Sequence, residues 1–239
     1  MNIATRDLSY RDVDTPLTGL FCWNEAREGP RPGILLIHGG AGLDAHAREQ
    51  ACRYAALGYG VLACDMFGDG IAGDRERVLA CLLALRDDPG RLVRRGQAGL
   101  AALAGCPDAA GPAAAVGFCF GGMAALALAR AGTNLAAVVS IHGSLATSAP
   151  ASPGAVTARI LACHGAADPH VPPADVAAFA TEMNHAGADW QLVMYGRAQH
   201  GFTHQHAVPG AMPGVAYDRL ADERSFAAAR AFLAEALAP

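Results

Sequence analysis

An α/β fold, with a mostly parallel central sheet and helices on both faces, is what this sequence predicts, on three observations. Short apolar runs alternate with helix-compatible segments along most of the chain, the pattern of repeated strand–helix units. The runs are continuously hydrophobic, as at residues 34–37, which suits strands covered on both sides. Three of them stop at a His-Gly pair: His38-Gly39, His142-Gly143 and His164-Gly165.

In chain order, residues 17–23 read as an early strand and 34–37 as the next. Residues 44–57 supply helix formers ending at Gly58, and 60–64 form an apolar run closed by Asp65. Two helical segments follow, 75–85 and 91–103, separated by Pro89-Gly90. Residues 113–118 form a strand that runs into Gly121 and the Ala/Leu-rich helix 123–131. Strands at 135–141 and 159–163, a helix at 173–185, a strand at 190–194 and a helix at 219–237 continue the alternation. Two stretches interrupt it. Residues 146–158 are rich in Ser, Pro and Ala, and 201–218 contain Pro209, Pro213 and several glycines. Each lies between elements of the sheet, so both read as surface loops near a site.

Composition narrows the function classes. With 239 residues, 52% hydrophobic and 17% charged, the chain is expected to build one core in a single domain spanning 1–239. Its 18 Lys and Arg against 22 Asp and Glu give a net charge of -4, too mild to imply a nucleic-acid or anionic-membrane partner. Residues 1–10 include Arg6 and Asp7 and do not resemble a secretory leader, and no run of ~18 apolar residues occurs. A soluble, cytoplasmic protein is expected, and the sequence leaves its oligomeric state open. The 7 cysteines, an odd number without a Cys-x-x-Cys pair, argue against a disulfide framework. Histidines 200, 204 and 206 cluster, with His164 and His170 near Asp168, yet their spacing matches no strong zinc motif. Neither a metal nor an organic cofactor is expected.

The chemistry centres on Gly117-Phe118-Cys119-Phe120-Gly121-Gly122, a Gly-x-Cys-x-Gly turn between a strand and a helix. Such an elbow needs small flanking residues, because its backbone crosses neighbouring strands closely and holds the nucleophile in a strained conformation. The helix that follows points N–H groups at developing negative charge and favours a thiolate. Downstream, Asp168 follows one strand and His200 another, giving the chain order nucleophile, acid, base with each residue at a different strand's carboxyl end. The oxyanion donors this arrangement needs are the backbone N–H of Phe120 and that of Gly40, with Gly39 a close competitor.

These segments, with His164-Gly165-Ala166-Ala167-Asp168-Pro169 and Tyr195-Gly196-Arg197-Ala198-Gln199-His200-Gly201-Phe202, resemble the three active-site segments of the dienelactone hydrolase family. The similarity extends over residues 32–70, the two helices after them and Pro213-Gly214-Val215-Ala216-Tyr217. The resemblance implies an α/β-hydrolase fold and hydrolysis of a small carboxylic ester or lactone, with the substrate and water as the only partners. Cys119 would be the nucleophile, His200 the base and later acid, and Asp168 the residue orienting the imidazole. An acyltransferase, or a non-catalytic small-molecule binder on the same scaffold, is the alternative.

One departure bears on thiol activation. Family members carry a glutamate after the early strand that meets the resting cysteine, and the matching residue here is Gly39; His38 or Asp44 are the nearby replacements to consider. Family arginines hold substrate carboxylates, and Arg75, Arg77 and Arg197 are the local candidates, each with a plainer reading as a solvating or loop-orienting residue. Phe202 is expected to bind substrate, lining an apolar pocket with Phe67, Phe118 and Phe120; Phe118 and Phe120, adjacent to the elbow, have packing beneath it as their alternative.

Overall fold

Alternate side chains along the central strands face opposite sides of the sheet, and both sides must be covered. The computed structural model describes residues 2–68, 70–207 and 210–238. Its strands are β1 (Ile3–Asp12), β2 (Thr15–Asn24), β3 (Arg31–Ile37), β4 (Gly60–Cys64), β5 (Ala109–Phe118), β6 (Ala137–Ile141), β7 (Arg159–Gly165) and β8 (Trp190–Tyr195). The helices are α1 (Ala45–Ala55), α2 (Arg75–Arg86), α3 (Pro89–Ala104), α4 (Phe120–Arg130), α5 (Pro173–Ala186) and α6 (Arg219–Ala236). The strands form one 8-stranded sheet in the order β1-β2-β4-β3-β5-β6-β7-β8. The β1–β2 and β2–β4 pairs are antiparallel, and the remaining pairs are parallel.

Two cores result. Leu35 and Ile37 of β3 and Ala115 of β5 pack with Leu92, Leu128 and Phe179 from α3, α4 and α5. Ile34 and Leu36, one residue out of phase, pack with Tyr54 of α1 and Phe232 and Leu233 of α6. Each buried Leu, Ile or Phe side chain among these stabilises the fold by about 1.5–3 kcal/mol. Aspartates start four of the helices: Asp44, Asp74, Asp88 and Asp218 accept the N–H of Ala47, Arg77, Arg91 and Ala221. Helix α4 begins at Cys119 with no side-chain cap, so its first amides remain available to another acceptor.

The chain runs from β3 through α1 to β4 and then crosses back over β3 to β5. Open α/β sheets bind their ligands in the crevice expected at such a reversal, here the carboxyl ends of β3 and β5. The sequence-read strands and helices are present, with ends shifted by a few residues at most. Strand β1 is an addition. It carries Arg6, Asp7 and Arg11 on an exposed sheet edge, where charge protects against strand pairing with other chains.

A buried ion pair fastens the β1–β2 hairpin beside this crevice. Arg95 Nε donates to Asp12 at 2.8 Å with both side chains almost fully enclosed, and Arg95 Nη1 donates to the carbonyl of Met66 at 2.8 Å. Arg94 adds a second contact to Asp12 at 3.0 Å. Arg95→Ala would leave both acceptors buried and short of a donor, so a loss of about 3 kcal/mol in urea denaturation is expected. A change below about 1 kcal/mol would show the pair to be dispensable.

Candidate active site

At the carboxyl end of β5 the backbone must turn sharply, and three glycines make the turn possible. A Cβ on Gly117 would overlap the carbonyl of Gly121, and one on Gly121 would overlap the carbonyls of Ile37 and His38. A Cβ on Gly122 would stand 2.6 Å from Ser140 Oγ. Cys119 occupies the apex at φ 54 and ψ -115, a conformation that costs a non-glycine residue about 1–3 kcal/mol and persists only where its surroundings hold it. Its side chain is partly accessible, whereas Cys22, Cys64, Cys106 and Cys163 are buried.

Cys119, His200 and Asp168 come together in a line. Cys119 Sγ lies 3.0 Å from His200 Nε2, and His200 Nδ1 lies 2.8 Å from Asp168 Oδ2. Asp168 also accepts the N–H of His170 at 2.8 Å. The loop after β8 folds back to hold His200, which donates its N–H to Gly214 and accepts from Ala216, within the Pro213–Tyr217 stretch. His170 Nε2 bonds the carbonyl of Pro213 at 3.0 Å, and its ring packs edge-on against His200.

The charges follow from these contacts. Burial opposes ionisation of Cys119, but the hydrogen bond and charge of His200, with the N–H groups of Gly40 and Phe120, outweigh it and lower the thiol pKa. Burial likewise opposes a charged His200, yet Asp168 and then Cys119 raise it to about 10. Asp168 is held below its ordinary value because its bonds from His200 and His170 exceed the cost of burial. Each partner thus favours the charged form of the other, His200 lowering the thiol and Cys119 helping to raise the imidazole.

The N–H groups of Gly40 and Phe120 thus favour the thiolate form of Cys119, and His38 explains the aim of the first. His38 Nδ1 donates to the carbonyl of Gly39 at 2.7 Å, and its Nε2 accepts the N–H of Met66 at 3.1 Å. In a trans peptide the C=O and the next N–H point opposite ways, so anchoring the Gly39 carbonyl directs the Gly40 N–H toward Cys119. His38 is fully buried and neutral, since burial lowers its pKa. Asp44 caps α1. Both of the nearby groups considered as replacements for a carboxylate at position 39 are therefore engaged elsewhere. A Cβ at Gly39 would meet Phe118 O at 3.6 Å and Cys119 Cβ at 3.7 Å, so a side chain there would face the thiol without strain.

The substrate-binding expectations fare unevenly. Phe202 is fully buried against His142 and Tyr195, which corrects its placement on a substrate-facing surface; it packs beneath the site because its flanking backbone is pinned to the fold. Phe118 is buried with it, and Phe67 and Phe120 pack around His38. Arg197 is exposed and lines a groove of about 290 Å³ with Asp218, Leu220 and Arg224, to which none of the three aligned residues contributes. Arg75 and Arg77 are exposed on α2. Arg75 shares a helical face with Leu82, whose Cδ1 would lie 3.1 Å from a Cβ on Gly40, while Arg77 is turned about 200° away from Arg75. The cleft of about 510 Å³ between α3, α4 and residues 144–148 is lined by Met123, Arg130 and Ser144, not by the aligned three. Among the described residues, no cluster of metal-ligating side chains occurs, and no helix is long and apolar enough to cross a membrane.

Sheet order, crossover helices and a nucleophile-type elbow facing a histidine and an aspartate define an α/β hydrolase. More narrowly, the chain belongs to the dienelactone hydrolase family, whose sequence model matches residues 19–237. A solved structure named m3DLH is 37% identical, covers 99% of each chain and superposes with a TM-score of 0.92. A dienelactone hydrolase-like promiscuous phosphotriesterase, P91, from metagenomic libraries is 37% identical over 98% of this chain and 99% of its own, with a TM-score of 0.91. An uncharacterised Caenorhabditis elegans protein is 37% identical over 155 residues, 64% of this chain and 98% of its own.

The lowered thiol and raised imidazole have a direct consequence. Alkylation of Cys119 by iodoacetamide should have its pH midpoint below the ordinary thiol value of 9.0, and His200→Gln should move that midpoint upward by about a unit or more. An unchanged midpoint in the variant would show that the backbone amides alone hold the thiolate.

Proposed function

We propose that this protein hydrolyses small carboxylic esters or lactones through a Cys119–His200–Asp168 triad and an acyl-enzyme. The observation that carries the reading is the continuous line from Cys119 Sγ through both ring nitrogens of His200 to Asp168, at 3.0 and 2.8 Å. The thiolate attacks the carbonyl carbon, and the displaced π pair becomes an oxyanion facing the N–H groups of Gly40 and Phe120. Collapse breaks the C–O bond, and His200 Nε2–H protonates the leaving alkoxide. Water, deprotonated by the now neutral His200, then attacks the thioester and releases the acid, restoring the ion pair. Asp168 keeps the ring in the tautomer that these steps use. No step needs a cofactor.

Turnover of a short nitrophenyl ester should rise as Cys119 deprotonates and fall as pH passes through about 10, where His200 loses its proton. Cys119→Ala should abolish it, and mass spectrometry should detect a transient acyl adduct on the parent alone. Correctly folded protein with no Cys119-dependent turnover of any ester or lactone would leave a binding role. An adduct released by an alcohol faster than by water would favour acyl transfer.

A second reading has its own observation. The relative named as a promiscuous phosphotriesterase is 37% identical over nearly the whole chain, and glycine at position 39 leaves the space beside Cys119 unfilled by a side chain. Attack by the thiolate on phosphorus would expel an aryloxide, and water would then cleave the S–P bond. Slow release of nitrophenol from a nitrophenyl phosphotriester, lost in Cys119→Ala and reduced about tenfold or more in Gly39→Glu, is expected. Equal rates in the parent and Cys119→Ala would exclude it.

A further inference from the structure

The backbone N–H of Cys119 is shared between the carbonyl of Ile141 at 3.0 Å and Nδ1 of His142 at 3.1 Å. An N–H donor requires Nδ1 to be bare, so the neutral ring of His142 carries its proton on Nε2. That N–H donates to Thr203 Oγ1 at 2.8 Å. Thr203 stands three residues after His200, is fully enclosed, and its hydroxyl oxygen also lies 3.0 Å from Nε2 of buried His46. His142 itself sits at φ 41 with no exposed surface. Its ring packs edge-on against both His200 and Phe202. Burial, and then the charge of His200, hold its pKa well below the ordinary imidazole range.

Two non-glycine residues in the left-handed region, Cys119 and His142, therefore end adjacent strands and are bound to each other. Strain of this kind needs an external restraint. The restraint here runs from the amide of Cys119 to the loop that carries His200. We propose that His142 and Thr203 are positioning residues, a clamp that holds the Cys119 backbone to the His200 loop so that the sulfur and Nε2 keep their contact. The inference rests on reading Cys119 and His200 as nucleophile and base. It assigns the imidazole of His142 no proton transfer. Its contribution is fixed geometry, which matters because misplacing reacting groups by about 1 Å costs on the order of a hundredfold in rate.

Thr203→Val keeps the side-chain shape but leaves His142 Nε2–H without its acceptor, and Thr203→Ser restores the hydroxyl. His142→Asn keeps an acceptor for the Cys119 amide but is too short to reach Thr203. Turnover of a nitrophenyl ester and the pH profile of Cys119 alkylation are measured for each, with a melting curve to confirm folding. In Thr203→Val and His142→Asn, kcat should fall about tenfold or more with KM within about twofold. The alkylation midpoint should move up as the His200 contact loosens, and Thr203→Ser should recover both parent values. Loss of melting temperature alone, with kcat and alkylation midpoint unchanged in both folded variants, would overturn the clamp. Cys119→Ala separates the two levels. An inactive Cys119→Ala beside unaffected clamp variants removes only this inference, whereas an active Cys119→Ala removes the nucleophile reading and the clamp together.

Discussion

The crossing of backbones at Gly117, Gly121 and Gly122 is the constraint on which the rest of the site depends. Side chains at those positions would collide with the carbonyls of Gly121, Ile37 and His38 and with Ser140, so β5 can enter α4 through Cys119 only if all three lack a Cβ. The turn places the thiol at an uncapped helix start, beside amides that have no competing side-chain acceptor. It also forces Cys119 into a left-handed conformation that neighbouring strands must sustain. The position of Cys119 at a helix start and its backbone strain have the same geometric origin.

Histidines around this turn take different roles because their surroundings differ. His38 and His142 are fully enclosed, so burial keeps both neutral and suits them to brace backbone groups. His200 is partly accessible and lies between a carboxylate and a thiol, which raise it to about 10. One side-chain type thus supplies two neutral props and one ring whose charged form is favoured, in the way environment separates chemically identical groups at other sites. The buried Asp12–Arg95 pair reaches the same region through Met66, whose carbonyl meets Arg95 and whose N–H meets His38.

The central strands, the helices and the approach of Asp168 and His200 to Cys119 were legible in the sequence, because they rest on continuous apolar runs, glycines around one cysteine, and the order in which an aspartate and a histidine follow later strands. Strand β1 was not. Its Arg6, Asp7 and Arg11 mask the apolar alternation, and its pairing with β2 through the Val13-Asp14 turn is a tertiary fact. His142 was visible only as the end of a strand, since its partners Cys119 and Thr203 are 23 and 61 residues away. Phe202 had the composition of a pocket residue, and only its enclosure by His142 and Tyr195 reveals a packing role. Neither could Arg75 and Arg77 be told apart without knowing which face of α2 carries Leu82 toward Gly40.

Gly39 raises the question of what holds a thiolate when no carboxylate stands at that position, and the geometry answers with His200 and two backbone amides. The most direct test is a ¹⁵N NMR titration of the His200 ring in the parent and in Cys119→Ala. The ring should stay doubly protonated in the parent well above the ordinary imidazole range, with a midpoint near 10 and a lower midpoint once the thiol is removed. A parent midpoint in the ordinary imidazole range, or one that does not move in Cys119→Ala, would contradict it.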